Sequence, residues 1–97
     1  MKQKIDVLAA FDIEAMNPRP IRFKLIEHGV KTTVSVDRIK RAEWMGAGGV
    51  TRIVYDCENV NDGKLIPYKL IYFYRECRWE IEYGTRCSGG NNRFPNN

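Results

Sequence analysis

Hydrophobic and polar residues alternate most regularly between Tyr68 and Tyr83. Successive side chains of a strand point to opposite faces, so this pattern predicts a β-hairpin with two arms. The predicted inward positions are Tyr68, Leu70, Tyr72, Tyr74, Trp79, Ile81 and Tyr83. The first arm also carries Ile71 and Phe73 on its second face, which predicts a central strand. On the second arm Arg78, Glu80 and Glu82 are predicted to face outward, and Trp79 to be the most buried large side chain.

The same alternation predicts further strands before this hairpin. These strands span Lys4–Asp12, Ile21–Glu27, Lys31–Val36 and Val50–Val60. Turns are expected at Glu27-His28-Gly29 and Asn61-Asp62-Gly63-Lys64, where glycine accepts a positive φ. Asn17-Pro18-Arg19-Pro20 is predicted to be a loop, because proline cannot donate a ladder hydrogen bond.

Two segments allow more than one interpretation. Asp37–Met45 fits a short helix capped by Asp37 or a strand with a bulge, and extended structure is favoured. Gly46, Gly48 and Gly49 suggest a phosphate-binding loop, but the Lys-Ser/Thr ending of that motif is absent and no helix is predicted to follow. A turn or bulge between strands is the expected structure there.

Strand and turn alternate along the whole chain, which predicts an all-β domain. We expect an antiparallel meander of about six strands curled into a small barrel, since closure hides the edges of a sheet. Residues 1–83 are predicted to form this single domain. Residues 84–97 are rich in Gly and Asn, and they are predicted to be a disordered tail.

Composition and charge narrow the possible functions. The chain has 97 residues with a net charge of +4, from 16 basic and 12 acidic residues that are mixed along the sequence. A modest basic excess favours nucleic acid or another anionic partner, although a solvated basic surface has the same composition. No apolar run is long enough for a membrane span, and Asp6 and Asp12 interrupt any signal-peptide core. A cytoplasmic location without membrane contact is therefore expected.

Residues for metal binding or catalysis are few. Cys57, Cys77, Cys87 and His28 are the candidate zinc ligands, yet none of them forms a Cys-x-x-Cys pair. Cys57 is predicted to be a small buried side chain and Cys77 an exposed thiol. Carboxylates repeat at strand spacing in two places, Glu80 with Glu82 and Asp56 with Glu58, but solvated strand faces show the same pattern. We therefore expect no enzymatic activity, no cofactor and no small-molecule substrate.

Binding through basic and aromatic side chains fits this composition better. Small β-barrels hold single-stranded nucleic acid through cations on outward strand faces and aromatic rings that stack on bases. The candidate binding residues are Arg22, Lys24, Arg52, Arg75, Arg78 and Phe73.

Short matches scattered from Ile5 to Glu82 resemble a group of short uncharacterised proteins of clostridia and related bacteria. The matching segments are Ala10-Phe11-Asp12, Pro20-Ile21-Arg22-Phe23, Val36-Asp37-Arg38-Ile39, Ala47-Gly48-Gly49, Arg52-Ile53-Val54-Tyr55-Asp56-Cys57, Leu70-Ile71-Tyr72 and Arg78-Trp79-Glu80. Members of that group are often encoded beside Y-family translesion DNA polymerases. The resemblance implies a small β domain linked to DNA damage tolerance, and it implies no catalytic residues.

Two functions follow as hypotheses. The first is a non-enzymatic binding module associated with nucleic acid or accessory to DNA repair, whose partner is nucleic acid or a nucleic-acid-handling protein. The second is a small protein-interaction module, such as an inhibitor encoded by a mobile element and directed at a bacterial nuclease or defence complex. The first predicts affinity that falls with salt, and the second predicts an exposed apolar patch or sheet edge.

Overall fold

A computed structural model of the chain describes residues 2–11, 17–46, 48–49 and 51–83. These residues form seven strands and no helix. The strands are β1 (Lys2–Ala10), β2 (Arg19–Glu27), β3 (Val30–Ser35), β4 (Arg38–Met45), β5 (Arg52–Asn61), β6 (Lys64–Phe73) and β7 (Arg78–Tyr83). They build one antiparallel, curled half-barrel in the order β3-β2-β1-β7-β6-β5-β4. The predicted all-β fold is thereby confirmed, and β6 is an interior strand as expected.

Strand β1 is shared by two parts of this sheet. Its first half, Lys2–Ile5, pairs with β7, whereas its second half, Asp6–Ala10, pairs with β2. We call β1, β2 and β3 the small sheet, and β1, β7, β6, β5 and β4 the large sheet. The Gln3 side chain donates a 2.9 Å hydrogen bond to the carbonyl of Ile26, where the ladder between β1 and β2 has ended.

A second crossing between the two sheets lies between β3 and β4. The Val36 amide extends the β2–β3 ladder with a 2.8 Å bond to the carbonyl of Ile21, while Arg38 already pairs with Glu58 of β5. Every pairing is antiparallel, so β3 and β4 run in the same direction. Together they form one extended segment, which leaves β2 and joins β5 at Val36 and Asp37. Strands that change sheets at a bend are a common way to curl a sheet. The extended structure favoured for Asp37–Met45 is confirmed, with a register shift between Ile39 and Arg41.

Asn59 of β5 holds this second crossing in place. Its side chain is 5% exposed, and its amide nitrogen donates a 2.8 Å bond to the carbonyl of Ser35. Its side-chain oxygen accepts bonds from the Asp37 amide at 2.9 Å and from the Tyr68 hydroxyl at 2.8 Å. The Asp37 carboxylate in turn accepts the Val60 amide at 2.9 Å. Four hydrogen bonds therefore fix the end of β3 against β5 and β6.

The core lies between the two sheets. Its buried hydrophobic side chains are Phe23, Leu25, Val34, Ile53, Tyr55, Cys57, Ile66, Tyr68, Leu70, Trp79 and Ile81. Phe23 of the small sheet packs against Tyr68 of the large sheet with ring centroids 5.7 Å apart. The Tyr55 hydroxyl donates to the carbonyl of Pro18 and so anchors the start of the second strand. Aromatic residues thus fill the core while their polar atoms find partners at its edge.

Two-residue turns close the β2–β3 and β5–β6 hairpins at the predicted places. His28 and Gly29 have φ values of 51° and 79°, and Asp62 and Gly63 have values of 56° and 75°. Two consecutive positive φ values are those of a type I′ turn, whose twist matches that of the flanking strands. The glycine-rich segment joins antiparallel β4 and β5, and a Cβ at Gly46 would lie 2.1 Å from the carbonyl oxygen of Gly49.

Three predictions were wrong in detail. Trp79 is 8% exposed, so Phe23, Leu25, Ile53, Leu70 and Ile81 are all more deeply buried. Trp79 pairs with Ile5, the last residue of β1 that pairs with β7. Beyond this pair the two strands separate, and Trp79 lines the opening between them.

The first strand runs from Lys2 to Ala10 instead of beginning at Lys4, and Asp12 lies outside the described residues. Phe11 follows the end of this strand and is 75% exposed. The predicted loop ends earlier than expected, because Arg19 and Pro20 belong to β2. Pro20 pairs with Ala9 at a register shift, a place where a strand tolerates proline. The tail predicted at 84–97 lies outside the described residues.

Replacing Asn59 should destabilise the fold strongly. Asn59→Ala removes the hydrogen bonds to the Ser35 carbonyl, from the Asp37 amide and from the Tyr68 hydroxyl, and we expect a loss of about 3–4 kcal/mol in urea unfolding. Tyr68→Phe removes one donor and should cost about 1 kcal/mol. Asn61→Ala at the end of the same strand is the control, with an expected change within about 0.5 kcal/mol. Equal losses for Asn59→Ala and Asn61→Ala would contradict the role assigned to Asn59.

Candidate nucleic-acid interface

Opposite charges alternate across the outer face of the large sheet. Register places Arg41, Asp56, Lys69, Glu82 and Lys2 in one row across all five strands. Arg41 and Lys69 lie 3.1 and 4.0 Å from the carboxylate oxygens of Asp56. Arg38 and Lys40 similarly approach Glu58 at 3.5 and 3.8 Å. Neighbouring carboxylates therefore largely offset the cations of this face.

Two of the predicted binding residues, Arg78 and Phe73, contact each other on this face. The Arg78 guanidinium carbon lies 4.0 Å from the centre of the Phe73 ring. Arg78 also donates to Glu80 and, at 2.8 Å, to Glu76. The bond to Glu80 raises the pKa of Arg78 above its usual value, so the guanidinium stays charged within this cluster. One face of the Phe73 ring and much of the Arg78 charge are thus already engaged.

The other predicted binding residues are divided between the two sheets. Arg52 is the first residue of β5. Its neighbour Ile53 pairs with Tyr72, so Arg52 lies near Phe73, the residue that follows Tyr72. Arg75 is exposed in the turn between β6 and β7. Arg22 and Lys24 instead lie on the outer face of β2, in the small sheet. The structure therefore brings Arg52, Phe73 and Arg78 together on the large sheet. Arg78 also lines a groove together with Lys24 of the small sheet.

Cations on the small sheet lack such compensation. Lys4, Arg22, Lys24 and Lys31 are exposed at outward positions of β1, β2 and β3, and we call them the basic face. None of them forms an ion pair with another residue that the structure describes. Two carboxylates lie opposite these cations in register: Asp6 pairs with Lys24, and Glu80 of β7, which accepts a bond from Arg78, pairs with Lys4. The basic face therefore carries a local excess of positive charge.

A groove of about 660 Å³ runs beside the basic face. It opens where β1 leaves β7, because the β1–β7 ladder ends at Ile5 and Trp79. Its lining includes the cations Lys4, Lys24 and Lys31 and the exposed apolar side chains Leu8, Phe11 and Ile26. A smaller hollow of about 240 Å³ continues past Arg22 and Thr33. Cations and apolar surface together suit a ligand with anionic groups and flat apolar rings.

Metal binding finds no support in the described residues. Three of the four candidate zinc ligands lie on different elements: Cys57 in β5, Cys77 in the β6–β7 turn and His28 in the β2–β3 turn. Cys87 lies outside the described residues, and no group of three His, Cys, Asp or Glu side chains within them could hold a metal ion. Cys57 is buried and Cys77 is exposed, as predicted.

The repeated carboxylates lie on the outer face of the large sheet. Asp56, Glu58 and Glu80 each contact a cation there, as described above. These carboxylates and the cations beside them form a surface ion-pair network. No helix in the described part of the chain is long and apolar enough to cross a membrane.

Comparison with known proteins places the chain in no family. No protein-family model, no curated protein and no solved structure matches the sequence or the fold. The function must therefore be argued from the geometry of this chain alone.

Sequence reasoning missed Lys4, Lys31 and Phe11 as binding residues. Lys4 and Lys31 alternate with inward residues, and that alternation was visible in the sequence. The predicted turn at Glu27-His28-Gly29 already places Lys31 beside β2, whereas the sequence did not show that β1 and Lys4 lie on the other side of β2.

Burial of ionisable groups in the core predicts a loss of stability at alkaline pH. Desolvation raises the pKa of the Cys57 thiol to about 12, and burial also raises the pKa of Tyr55 and Tyr68. An unfolded thiol has a pKa of about 8.5, so above that pH the folded chain binds more protons than the unfolded chain. The stabilisation is complete below pH 8.5 and should fall as pH rises toward 12.

Urea unfolding measured at increasing pH tests this dependence, with Cys57→Val as the control. The variant should lose stability less steeply with pH, because it lacks the thiol but keeps the tyrosines. A midpoint that stays constant in the native protein from about pH 8.5 to 11.5 would contradict the burial of these groups.

Proposed function

We propose that the domain is a non-enzymatic module that binds single-stranded nucleic acid on the basic face. The observation that carries this proposal is the unequal charge of the two sheets. On the large sheet carboxylates offset the cations, whereas Lys4, Arg22, Lys24 and Lys31 have no described ion-pair partner. Phosphate groups bind such cations and release condensed counterions, which favours association.

The groove supplies the contacts that bases need. Leu8, Phe11 and Ile26 expose apolar surface beside Lys4 and Lys24, within reach of one bound strand. Stacking of a base on an aromatic ring contributes about 1–3 kcal/mol and tolerates any base. Phe11, which the fold leaves exposed beside this groove, is therefore the proposed stacking residue.

A single strand suits this surface better than a duplex. Bases in a duplex are stacked inside the helix, where Leu8 and Ile26 cannot reach them. An unpaired strand, in contrast, can place its phosphates on the basic face and turn its bases into the groove.

Protein interaction is a second candidate function, and one observation favours it. Trp44 and Met45 at the end of β4 are 47% and 41% exposed, and they adjoin a sheet edge with no described partner. A pull-down from host lysate with and without nuclease would separate the two functions. A protein partner that is retained after nuclease and in high salt would favour interaction. The link to translesion polymerases is a proposal that rests on the sequence resemblance.

Removing the charge of the basic face should weaken binding to oligonucleotides. We expect Lys4→Gln/Lys24→Gln/Lys31→Gln to bind a fluorescent 20-nucleotide oligothymidine about tenfold or more weakly at low salt. The slope of log Kd against log salt should be about 2.8 for four phosphate contacts and should fall by about 2 in the triple variant. Fluorescence anisotropy across a salt series measures both quantities.

The control is a second triple variant, which removes the same number of lysine charges outside the basic face. Lys40→Gln/Lys64→Gln/Lys69→Gln alters β4 and β6, and its Kd should stay within about twofold of the native value. Equal weakening by both triple variants would show that net charge alone drives association. Absence of oligonucleotide binding by the native protein at low salt would overturn the proposal.

A further inference from the structure

The outer edge of β4 is open. β4 pairs with β5 on one side, and no other described strand pairs with it. Seven of its eight residues are exposed, and Ile39 is the exception. An unpaired strand edge presents a row of amide and carbonyl groups that can pair with another strand.

Charged side chains often protect such an edge, but those of β4 are directed elsewhere. Arg38 and Lys40 approach Glu58 of β5, and Arg41 lies 3.1 Å from Asp56 of the same strand. Arg38 and Lys40 therefore extend toward β5, whereas Arg41 lies between Asp56 of β5 and Glu43 of its own strand, 3.7 Å away. The register shift ends at Arg41, so Arg41–Met45 is a regular segment that can pair.

The faces of β4 limit how a second copy of this strand can pair with it. Ala42 and Trp44 lie opposite Tyr55 and Ile53 on the inner face, whereas Arg41 and Glu43 are on the outer face. Residues opposite each other in an antiparallel pair share a face, and faces alternate along a strand. In a symmetric pair of β4 strands the twofold axis must therefore pass at one residue, which lies opposite its own copy.

Charge selects one of these registers. With the axis at Ala42, Arg41 of each copy lies opposite Glu43 of the other copy, which gives two attractive pairs. With the axis at Glu43, two like charges would meet, and with the axis at Trp44, Glu43 would face Met45. Opposite charges across a strand pair stabilise it and like charges destabilise it.

We propose that two copies of this chain associate through antiparallel β4–β4 pairing about Ala42. The two large sheets then form one continuous sheet of ten strands, with Arg41 and Glu43 paired across the axis in both directions. This association does not depend on the proposed nucleic-acid function.

Sedimentation velocity over about a hundredfold range of protein concentration tests the association of the native chain. The mass should rise from the monomer value of 11.3 kDa toward twice that value. A mass that stays at the monomer value across the range would overturn the proposal.

Charge reversal tests the register. Glu43→Arg places Arg41 opposite arginine, and Arg41→Glu places Glu43 opposite glutamate, so each variant alone should stay monomeric. An equimolar mixture of the two restores both attractive pairs and should dimerise. Lys64→Glu at the start of β6 is the control, and it should dimerise as the native chain does.

Circular dichroism and the melting temperature confirm that each variant is folded. Arg41→Glu also loses its contact with Asp56, and Glu43→Arg loses its 3.7 Å contact with Arg41 of the same chain. The mixture of the two variants is therefore the test that isolates pairing across the edge. Native-like dimerisation of Glu43→Arg would overturn the proposed register. A mixture of folded variants that remains monomeric would overturn it as well.

Discussion

The curled sheet depends on the hydrogen bonds of one buried side chain, Asn59. The extended run from β3 to β4 must leave β2 and join β5, and this change of partner exposes backbone groups that no ladder satisfies. Asn59 bonds to the Ser35 carbonyl and the Asp37 amide at this point, and it accepts the Tyr68 hydroxyl from the core. Because an unpaired buried polar group costs more than a formed bond gains, this residue fixes where the sheet bends.

The bend and the splitting of β1 together create two outer faces with different electrostatics. Strands β4 to β7 keep a long common register, so rows of cations and carboxylates meet and offset each other, as Arg41 and Lys69 do with Asp56. The small sheet has three strands and one outward carboxylate, Asp6, and its cations are left uncompensated. The same divergence of β1 from β7 opens the groove beside them. Fold geometry, more than net charge, therefore determines where an anionic ligand can bind.

Local patterns in the sequence were sufficient for the strands but not for the site. Alternation and the Asp-Gly turn predicted the β5–β6–β7 meander, because neighbouring strands follow each other along the chain. The pairing of β1 with β7 joins residues far apart in sequence, and no local pattern encodes it. Lys4 therefore went unrecognised, whereas Lys31 lies in the predicted β2–β3 hairpin and was passed over although Arg22 and Lys24 were selected. Arg78 was selected for its charge, yet its partners Glu76 and Glu80 become evident only when the turn is built.

Residue-resolved NMR titration of the ¹⁵N-labelled protein with oligothymidine at low salt locates the surface that binds the oligonucleotide. We expect the largest amide shifts on the small sheet and its groove, around Lys4, Phe11, Lys24 and Lys31. Shifts concentrated on the outer face of the large sheet, around Asp56 and Lys69, would contradict the proposed binding surface. So would a spectrum that does not change when the oligonucleotide is added.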